Sequence, residues 1–281
     1  MKRFLQKAIP KLYGFYFNLL SLFSQDKAAS IALKVFSTPR RGRILEHQRE
    51  FLNSARQQRI TSEDGLYMLY HWKGNQKTVM FIHGWDSNTH RWNDLIKDLQ
   101  KEDYNIIAFD APAHGNSDGK LLNVPLYSKC LDRVLSLYKP DYIIGHSVGA
   151  MTIVYNQYLK KSIFLDKIVL LGSPSDMSRI MKDYQKILKL NPKFMTTLEA
   201  YFKQKFGYNF EEFSIAEFSK TIENKTLIIH DQYDRVAPVE AAHAIHQNLK
   251  NSSLKITEGA GHSLNKEEIR SAIVKFLNTN P

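Results

Sequence analysis

Short apolar segments alternate with helical segments along most of this chain, and that alternation limits its fold more than any other feature. The apolar segments are rich in β-branched residues, and Gly, His, Ser or Asp follows almost every one. They lie at 66–72, 78–82, 105–109, 142–144, 167–171, 226–229 and 254–257, with helical patterns at 93–100, 126–138, 149–159, 239–249 and 266–277. Strands that alternate with helices predict an α/β fold with a mostly parallel central sheet flanked by helices.

The segment Gly145-His146-Ser147-Val148-Gly149 joins one predicted strand to the helix after it. A G-x-S-x-G pattern is common by chance, but a strand before it and a helix after it form the setting in which it presents a serine. Glycines at both ends let strand and helix approach closely, because neither has a Cβ. The helix N-terminus favours developing negative charge. We therefore predict that Ser147 is a nucleophile.

A serine hydroxyl needs a base, and His262 is the best candidate among ten histidines. It lies in a loop of small residues, 259–263, after the last predicted strand and before the final helix. A base of this kind needs a carboxylate to orient it. Asp234, in the loop after strand 226–229, is the preferred partner, and Asp231, closer to the strand end, is the alternative.

Acyl transfer also needs two hydrogen-bond donors for the oxyanion. The first predicted donor is the backbone N–H of Val148, directly after the nucleophile. The second is the backbone N–H of Trp85, in the loop after strand 78–82. We expect His83, Gly84 and His146 to line the substrate pocket beside these donors.

Together these residues resemble the α/β-hydrolase superfamily over about residues 65–280. The matching segments are His83-Gly84-Trp85, the D-x-P-x-H-G-x-S segment at 110–117, the Ser147 turn, Asp234 and His262, in the family's chain order. The resemblance implies an α/β-hydrolase fold and a Ser-His-Asp mechanism without metal or organic cofactor. Ser147 would be acylated, and water activated by His262 would release the acyl group. Two departures are Ala113, where a glycine is usual, and the residues 86–88 after Trp85.

The alternation of strands and helices breaks at about residues 175–222, which look helical and are rich in bulky apolar residues. We interpret them as a helical lid inserted into a catalytic domain of residues 61–281; ordinary additional helices are the alternative. Residues 1–60 are expected to form a basic, amphipathic helical N-terminal extension that includes a polar helix over 46–59.

The net charge of +11 is concentrated in residues 1–60, which hold twelve Lys and Arg residues against three acidic ones. Within this extension, one helical face is apolar and the opposite face is small or polar. The apolar face is Leu12, Phe15, Tyr16, Leu19 and Phe23; the other is Gly14, Asn18, Ser21 and Gln25. We expect the apolar face to pack on the protein's own core, with a membrane-surface anchor or a secretory signal as alternatives. Since the charge lies outside the binding fold, no nucleic-acid partner is expected.

The predicted function is cleavage of carboxylic esters of small to medium acyl substrates by a serine hydrolase. Alternatives are a membrane-surface lipase or lysophospholipase, a thioesterase, and a non-catalytic ligand-binding protein of the same fold. The partners expected are a small-molecule ester or acyl substrate and, through residues 1–60, an anionic membrane. We expect a cytoplasmic protein, peripheral to the inner face of the membrane if the extension binds lipid. The pattern leaves the oligomeric state open.

Overall fold

A computed structural model describes residues 2–62 and 65–279, with the side chains of residues 2–7 left out of the description. The chain forms two compact units. The sheet unit comprises Pro39–Ser175 and Ile215–Pro281, and the helical unit comprises Met1–Thr38 and Asp176–Ser214.

Eight strands and eleven α-helices build the described part of the chain. The strands are β1 (Arg56–Ser62), β2 (Gly65–Trp72), β3 (Thr78–Ile82), β4 (Asn105–Phe109), β5 (Tyr142–His146), β6 (Lys167–Leu171), β7 (Lys225–Asp231) and β8 (Ser252–Thr257). The helices are α1 (Lys2–Leu20), α2 (Gln25–Phe36), α3 (Arg49–Asn53), α4 (Asn93–Lys101), α5 (Val124–Tyr138), α6 (Val148–Leu159), α7 (Met177–Leu188), α8 (Pro192–Phe206), α9 (Ile215–Ser219), α10 (Glu240–Asn248) and α11 (Glu267–Asn278). Short 3-10 helices lie at Glu46–Gln48 and Thr89–Trp92.

The strands form one sheet in the order β1-β2-β4-β3-β5-β6-β7-β8. The pairs β1–β2 and β2–β4 are antiparallel, and all pairs from β4 to β8 are parallel. Strands β5 and β6 are buried along their whole length. Full burial explains the apolar runs at 142–144 and 168–171, because a parallel sheet is covered on both faces. The predicted α/β fold with a mostly parallel central sheet flanked by helices is confirmed.

The prediction of one polar helix over residues 46–59 is wrong. The structure has a 3-10 turn and the short α3 there, and then β1 begins at Arg56. Strand β1 pairs only with β2 and is exposed over its first four residues. An edge strand of this kind has no apolar alternation, so its sequence resembles a polar helix.

The helical unit joins the two N-terminal helices to α7 and α8. Helix α2 has a buried face of Ala28, Ala29, Ala32 and Leu33, and it packs against α8. The Tyr184 hydroxyl of α7 donates to the Ala32 carbonyl at 2.9 Å. None of the described helices is both long and apolar enough to cross a bilayer. This unit combines part of the predicted extension with part of the predicted lid, whereas residues 39–60 belong to the sheet unit; a lid function of α7 and α8 stays a prediction.

Helix α1 packs through the side that carries Gly14, Phe17 and Asn18, not through its apolar face as expected. Gly14 is buried, and a Cβ there would lie 1.6 Å from the carbonyl oxygen of Leu188. Phe17 is fully buried beside Phe194, with ring centroids 6.3 Å apart. By contrast, Leu12 and Phe15 are 65% and 68% exposed. The expectation failed because a glycine at a close helix crossing gives no hydrophobic signal, although it sets which face is buried.

Candidate active site

Ser147 lies at the turn between β5 and α6, at the carboxyl end of the sheet. Its backbone has φ 54° and ψ −122°, a region that residues with a Cβ rarely occupy. The turn is held by the Ser147 N–H, which donates to the Leu171 carbonyl of β6 at 2.8 Å, and by the Met151 N–H, which donates to the Ser147 carbonyl. The strained backbone therefore places the serine side chain outside both regular elements.

Two glycines allow this turn, as the sequence predicts. A Cβ on Gly145 would lie 2.5 Å from Cδ1 of Ile153, and one on Gly149 would lie 2.3 Å from the carbonyl oxygen of Ile82. Both contacts are too close for a carbon atom. The helix after Ser147 is therefore pressed against β3 and β5, and any larger residue would push it away.

The structure brings His262 between Ser147 and Asp234. The imidazole Nε2 is 3.0 Å from Ser147 Oγ, and Nδ1 is 2.7 Å from Asp234 Oδ2. The Asp234 side chain is fully buried, while that of His262 is 21% exposed. Because the carboxylate accepts the Nδ1 proton, Nε2 is left to accept the serine proton.

Asp234 is held in its ionised form by its own loop. Burial alone would raise its pKa, but the hydrogen bond from His262 and the N–H groups of Val236 and Ala237 lower the pKa below the usual carboxyl value. His230 is also near, with Nε2 3.5 Å from Asp234 Oδ2. Its closer partner is the Ala237 carbonyl at 2.8 Å, and burial lowers its pKa, so His230 is neutral.

The alternative carboxylate, Asp231, contacts the loops and not the imidazole. It accepts hydrogen bonds from the N–H groups of Tyr233 and Ala260 and from the hydroxyl of Thr257. It thereby ties the loop that carries Asp234 to the loop that carries His262.

The loop after β3 lies directly against the Ser147 turn. A Cβ on Gly84 would be 2.8 Å from Nδ1 of His146 and 3.1 Å from Cβ of Ser147. Trp85, the next residue, is half-buried and its ring lies edge-on to His114, 5.9 Å between centroids. The backbone that carries the predicted oxyanion donor Trp85 is thus adjacent to the helix start that carries Val148.

His83 is fully buried, and both of its ring nitrogens contact backbone groups. Nε2 accepts from the Ala111 N–H, and Nδ1 donates to the Gly84 carbonyl. Burial, with a smaller effect from His114, lowers its pKa far below the usual value. Of the three residues expected to line the pocket, His83 therefore braces the loop instead of facing an open space.

His146 contacts the loop of the candidate base. Its Nε2 donates to the His262 carbonyl at 2.7 Å, and burial lowers its pKa far below the usual value. The residue after His262 in this loop is Ser263, and its carbonyl accepts a hydrogen bond from the Arg91 guanidinium at 2.9 Å. Sequence reasoning missed Arg91, because its partner lies 172 positions away and nothing in the local pattern marks it.

Two family models match the chain from residue 77 to residue 280, a range that includes strands β3 to β8. The model described as "alpha/beta hydrolase fold" matches residues 77–217, and one described as "TAP-like protein" matches residues 211–280. The chain belongs to the alpha/beta hydrolase superfamily.

Curated relatives and solved structures of this superfamily are similar to the chain along most of its length. The non-heme chloroperoxidase CPO-A1 of Kitasatospora aureofaciens is 24% identical, covering 78% of this chain and 98% of its own. The monoacylglycerol lipase ABHD6 of Mus musculus is 23% identical, covering 73% of this chain and 76% of its own. The structure of an esterase from Exiguobacterium antarcticum aligns with a TM-score of 0.62 at 18% identity, covering 79% of this chain and 99% of its own. These likenesses place the fold within the superfamily at low sequence identity.

This hydrolase departs from the family pattern at two positions, and the structure accommodates both. Ala113 and Asp86 have φ values of 65° and 51°, in the left-handed region that favours glycine. The carboxylate of Asp86 accepts hydrogen bonds from the N–H groups of Arg40 and Arg41, both at 3.0 Å. The loop after Trp85 is therefore anchored by a side chain that a glycine would not provide.

The buried carboxylate of Asp110 organises the rest of the D-x-P-x-H-G-x-S segment in this hydrolase. It accepts hydrogen bonds from the Tyr70 hydroxyl and from the N–H groups of Thr89 and Asn116. Burial raises its pKa, partly offset by these donors. Asp110, directly after β4, thus links that strand to β2 and to the Thr89–Trp92 turn. Its role in the family motif is therefore structural.

Proposed function

We propose that this protein is a serine hydrolase that cleaves carboxylic esters of small to medium acyl substrates. The observation that carries the proposal is the position of His262, within hydrogen-bond distance of Ser147 Oγ on one side and Asp234 Oδ2 on the other. The similar proteins include a monoacylglycerol lipase and an esterase, which supports the ester class.

In the first step Ser147 Oγ attacks the ester carbonyl carbon while His262 Nε2 takes the hydroxyl proton. Asp234 stabilises the imidazolium that forms, and it remains ionised because its loop donates two N–H groups to it. The oxyanion of the tetrahedral intermediate would accept hydrogen bonds from the backbone N–H groups of Val148 and Trp85. His262 then protonates the leaving alcohol, and an acyl-enzyme is left on Ser147.

In the second step water replaces the alcohol. His262 removes a proton from the water, the water oxygen attacks the acyl carbon, and Ser147 leaves with the proton returned by His262. The products are a carboxylic acid and the free enzyme. All proton transfers use one imidazole, so the same geometry serves acylation and deacylation.

Hydrolysis of p-nitrophenyl esters of increasing acyl length, with a matching series of acyl thioesters, tests the proposal. We expect turnover of the esters by the wild-type protein and a loss of about 10³-fold or more in Ser147→Ala. Ser136→Ala, an exposed serine on α5, is the control and should keep full activity. Folded protein that hydrolyses no ester, or hydrolyses esters equally well with Ser147→Ala, would refute the proposal, and thioester-only turnover would refute the ester class.

A further inference from the structure

Helix α1 and the turn after it expose a large apolar surface in the helical unit. We call it the α1 surface; it comprises Ile9, Leu12, Tyr13, Phe15, Tyr16, Leu19, Leu22 and Phe23, which are 39% to 82% exposed. Large side chains of this kind normally lie inside a soluble domain, and a contiguous exposed group marks an interaction site. The α1 surface therefore needs a partner that covers it.

The outward orientation of this surface is specified by polar contacts on the opposite side of α1. The Asn18 side chain donates to the Lys189 carbonyl and accepts from the Asn191 N–H, both at 3.0 Å. These two groups lie at the end of α7 and the start of α8, where helices leave backbone groups without helical partners. Gly14 on the same side permits the close approach to Leu188. Turning α1 to bury its apolar face would lose all of these contacts.

The helical unit that carries this surface is strongly basic. Its two segments hold thirteen Lys and Arg residues and six Asp and Glu residues, a net charge of +7. On α1 and α2 the exposed cations Lys11, Lys27 and Lys34 accompany the apolar residues, and Asp26 is the one acidic residue of Met1–Thr38. A second copy of this chain would bring two such charges together, which disfavours self-association. An anionic partner is attracted instead.

We propose that the α1 surface docks on an anionic lipid bilayer. An amphipathic helix with aromatic and leucine side chains on one face and lysines around it lies in the plane of the interface, with the apolar face among the headgroups and upper acyl chains. The negative surface of the membrane attracts the lysines of the helical unit. This inference rests on the helical unit alone and does not depend on the proposed ester hydrolysis.

Vesicle binding of the full chain tests the proposal without an activity readout. Purified protein is sedimented with sucrose-loaded vesicles of phosphatidylcholine alone or of phosphatidylcholine mixed with phosphatidylglycerol. We expect binding to the mixed vesicles and weaker binding to phosphatidylcholine alone, with added salt releasing the protein. No binding to the mixed vesicles, or equal binding to both compositions, would overturn the proposal.

Two triple variants separate the α1 surface from other exposed apolar residues. The test variant carries Phe15→Ser, Leu22→Ser and Phe23→Ser, at positions 68%, 73% and 82% exposed. The control carries Leu137→Ser, Leu159→Ser and Ile163→Ser, exposed positions of the sheet unit. All six are exposed, so thermal melting should show that both variants stay folded.

We expect the test variant to bind mixed vesicles about tenfold or more weakly than wild type, and the control to bind like wild type. Equal losses in both variants, or wild-type binding by the test variant, would overturn the proposal. Sedimentation velocity tests the alternative that a second copy of this chain covers the α1 surface. A wild-type dimer that becomes monomeric in the test variant, without vesicle binding, would assign the α1 surface to self-association and contradict docking on lipid.

Discussion

Asp234 holds His262 with one carboxylate oxygen and its own loop with the other. Asp231, three residues earlier, accepts hydrogen bonds from the N–H groups of Tyr233 and Ala260 and from the hydroxyl of Thr257 at the end of β8. The two carboxylates therefore have separable effects, one on the chemistry and one on the stability of the loops.

We predict that Asp234→Asn lowers kcat for a p-nitrophenyl ester by about 10³- to 10⁴-fold. The amide favours the wrong tautomer of the neutral imidazole, and it has no charge with which to stabilise the imidazolium. Asp231→Asn should instead lower the melting temperature, because its new NH2 group cannot accept hydrogen bonds from the groups that donate to Asp231. Its loss of kcat should be much smaller. Steady-state kinetics and thermal melting of both variants test this. A larger kcat loss in Asp231→Asn would mean that the wrong carboxylate has been assigned to the site.

His146 supports His262 through the backbone and does not contact the serine hydroxyl in the described geometry. It donates to the His262 carbonyl, so it is a positioning residue. We predict that His146→Ala lowers kcat about ten- to a hundredfold, the order expected when a catalytic group shifts by about an ångström. His146→Gln should recover part of the loss, because its side-chain N–H reaches the same carbonyl. Equal kcat in both variants would leave no positioning role for His146.

At the scale of elements, the turn around Ser147 depends on the lack of a side chain at Gly149. A Cβ there would lie 2.3 Å from the Ile82 carbonyl oxygen, so Gly149→Ala must shift α6 or β3. We predict a loss of about 1–3 kcal/mol in the free energy of unfolding, as for other overpacked sites.

The matched control for Gly149→Ala is Gly261→Ala in the same unit. Gly261 has φ 58° and no atom within 4 Å of its Cβ position, so its variant suffers only the backbone penalty, about 1 kcal/mol. Urea unfolding of both variants measures the difference. A Gly261→Ala variant as destabilised as Gly149→Ala would show that close packing at the turn is not the cause.

The parallel strands and their helices could be predicted from the sequence because burial on both faces leaves a continuous apolar run. Strand β3 (Thr78–Ile82) and helix α4 (Asn93–Lys101) lie within a residue of the predicted bounds. Edge strand β1 was not predicted, because a strand with one neighbour and mostly exposed side chains has no alternation of apolar and polar residues. At the site, the motif around Ser147 is local and readable, whereas the bond from Arg91 to the Ser263 carbonyl joins residues far apart in the chain.

At the scale of the whole molecule, the division into two units combines segments that are distant in sequence. Residues 1–38 pack with 176–214, so neither the predicted boundary at residue 60 nor the predicted insert at about 175–222 coincides with a unit. Local patterns show that these segments are helical. They do not show which helix face is buried, because that depends on partners such as Leu188 and Lys189 for α1.

Four buried histidines make the stability of the molecule dependent on pH. Burial lowers the pKa values of His83, His114, His146 and His230, whereas in the unfolded chain they titrate near 6.5. The unfolded chain therefore binds more protons below about pH 7, and the free energy of unfolding must fall as the pH falls.

A further loss of stability is expected in acid. The pKa values of Asp231 and Asp234 are lowered in the folded state, so their contribution to stability is present above the unfolded carboxyl pKa, near 4, and disappears as the pH falls through the folded value.

Urea unfolding at several pH values between about 8 and 5 tests the effect of the buried histidines. Wild type should lose stability steadily over this range, and His146→Gln should lose less. A flat profile would contradict neutral buried histidines.

The most direct test of the central claim, that His262 and Asp234 activate Ser147, is to locate the adduct of a fluorophosphonate probe by peptide mass spectrometry. This reagent reacts with serine hydroxyls that a neighbouring base activates. We predict a single adduct on Ser147 in wild type, none in Ser147→Ala and slow labelling in His262→Ala, with each variant shown to be folded. Folded wild-type protein that gains no adduct, or that is labelled at another serine, would contradict the account.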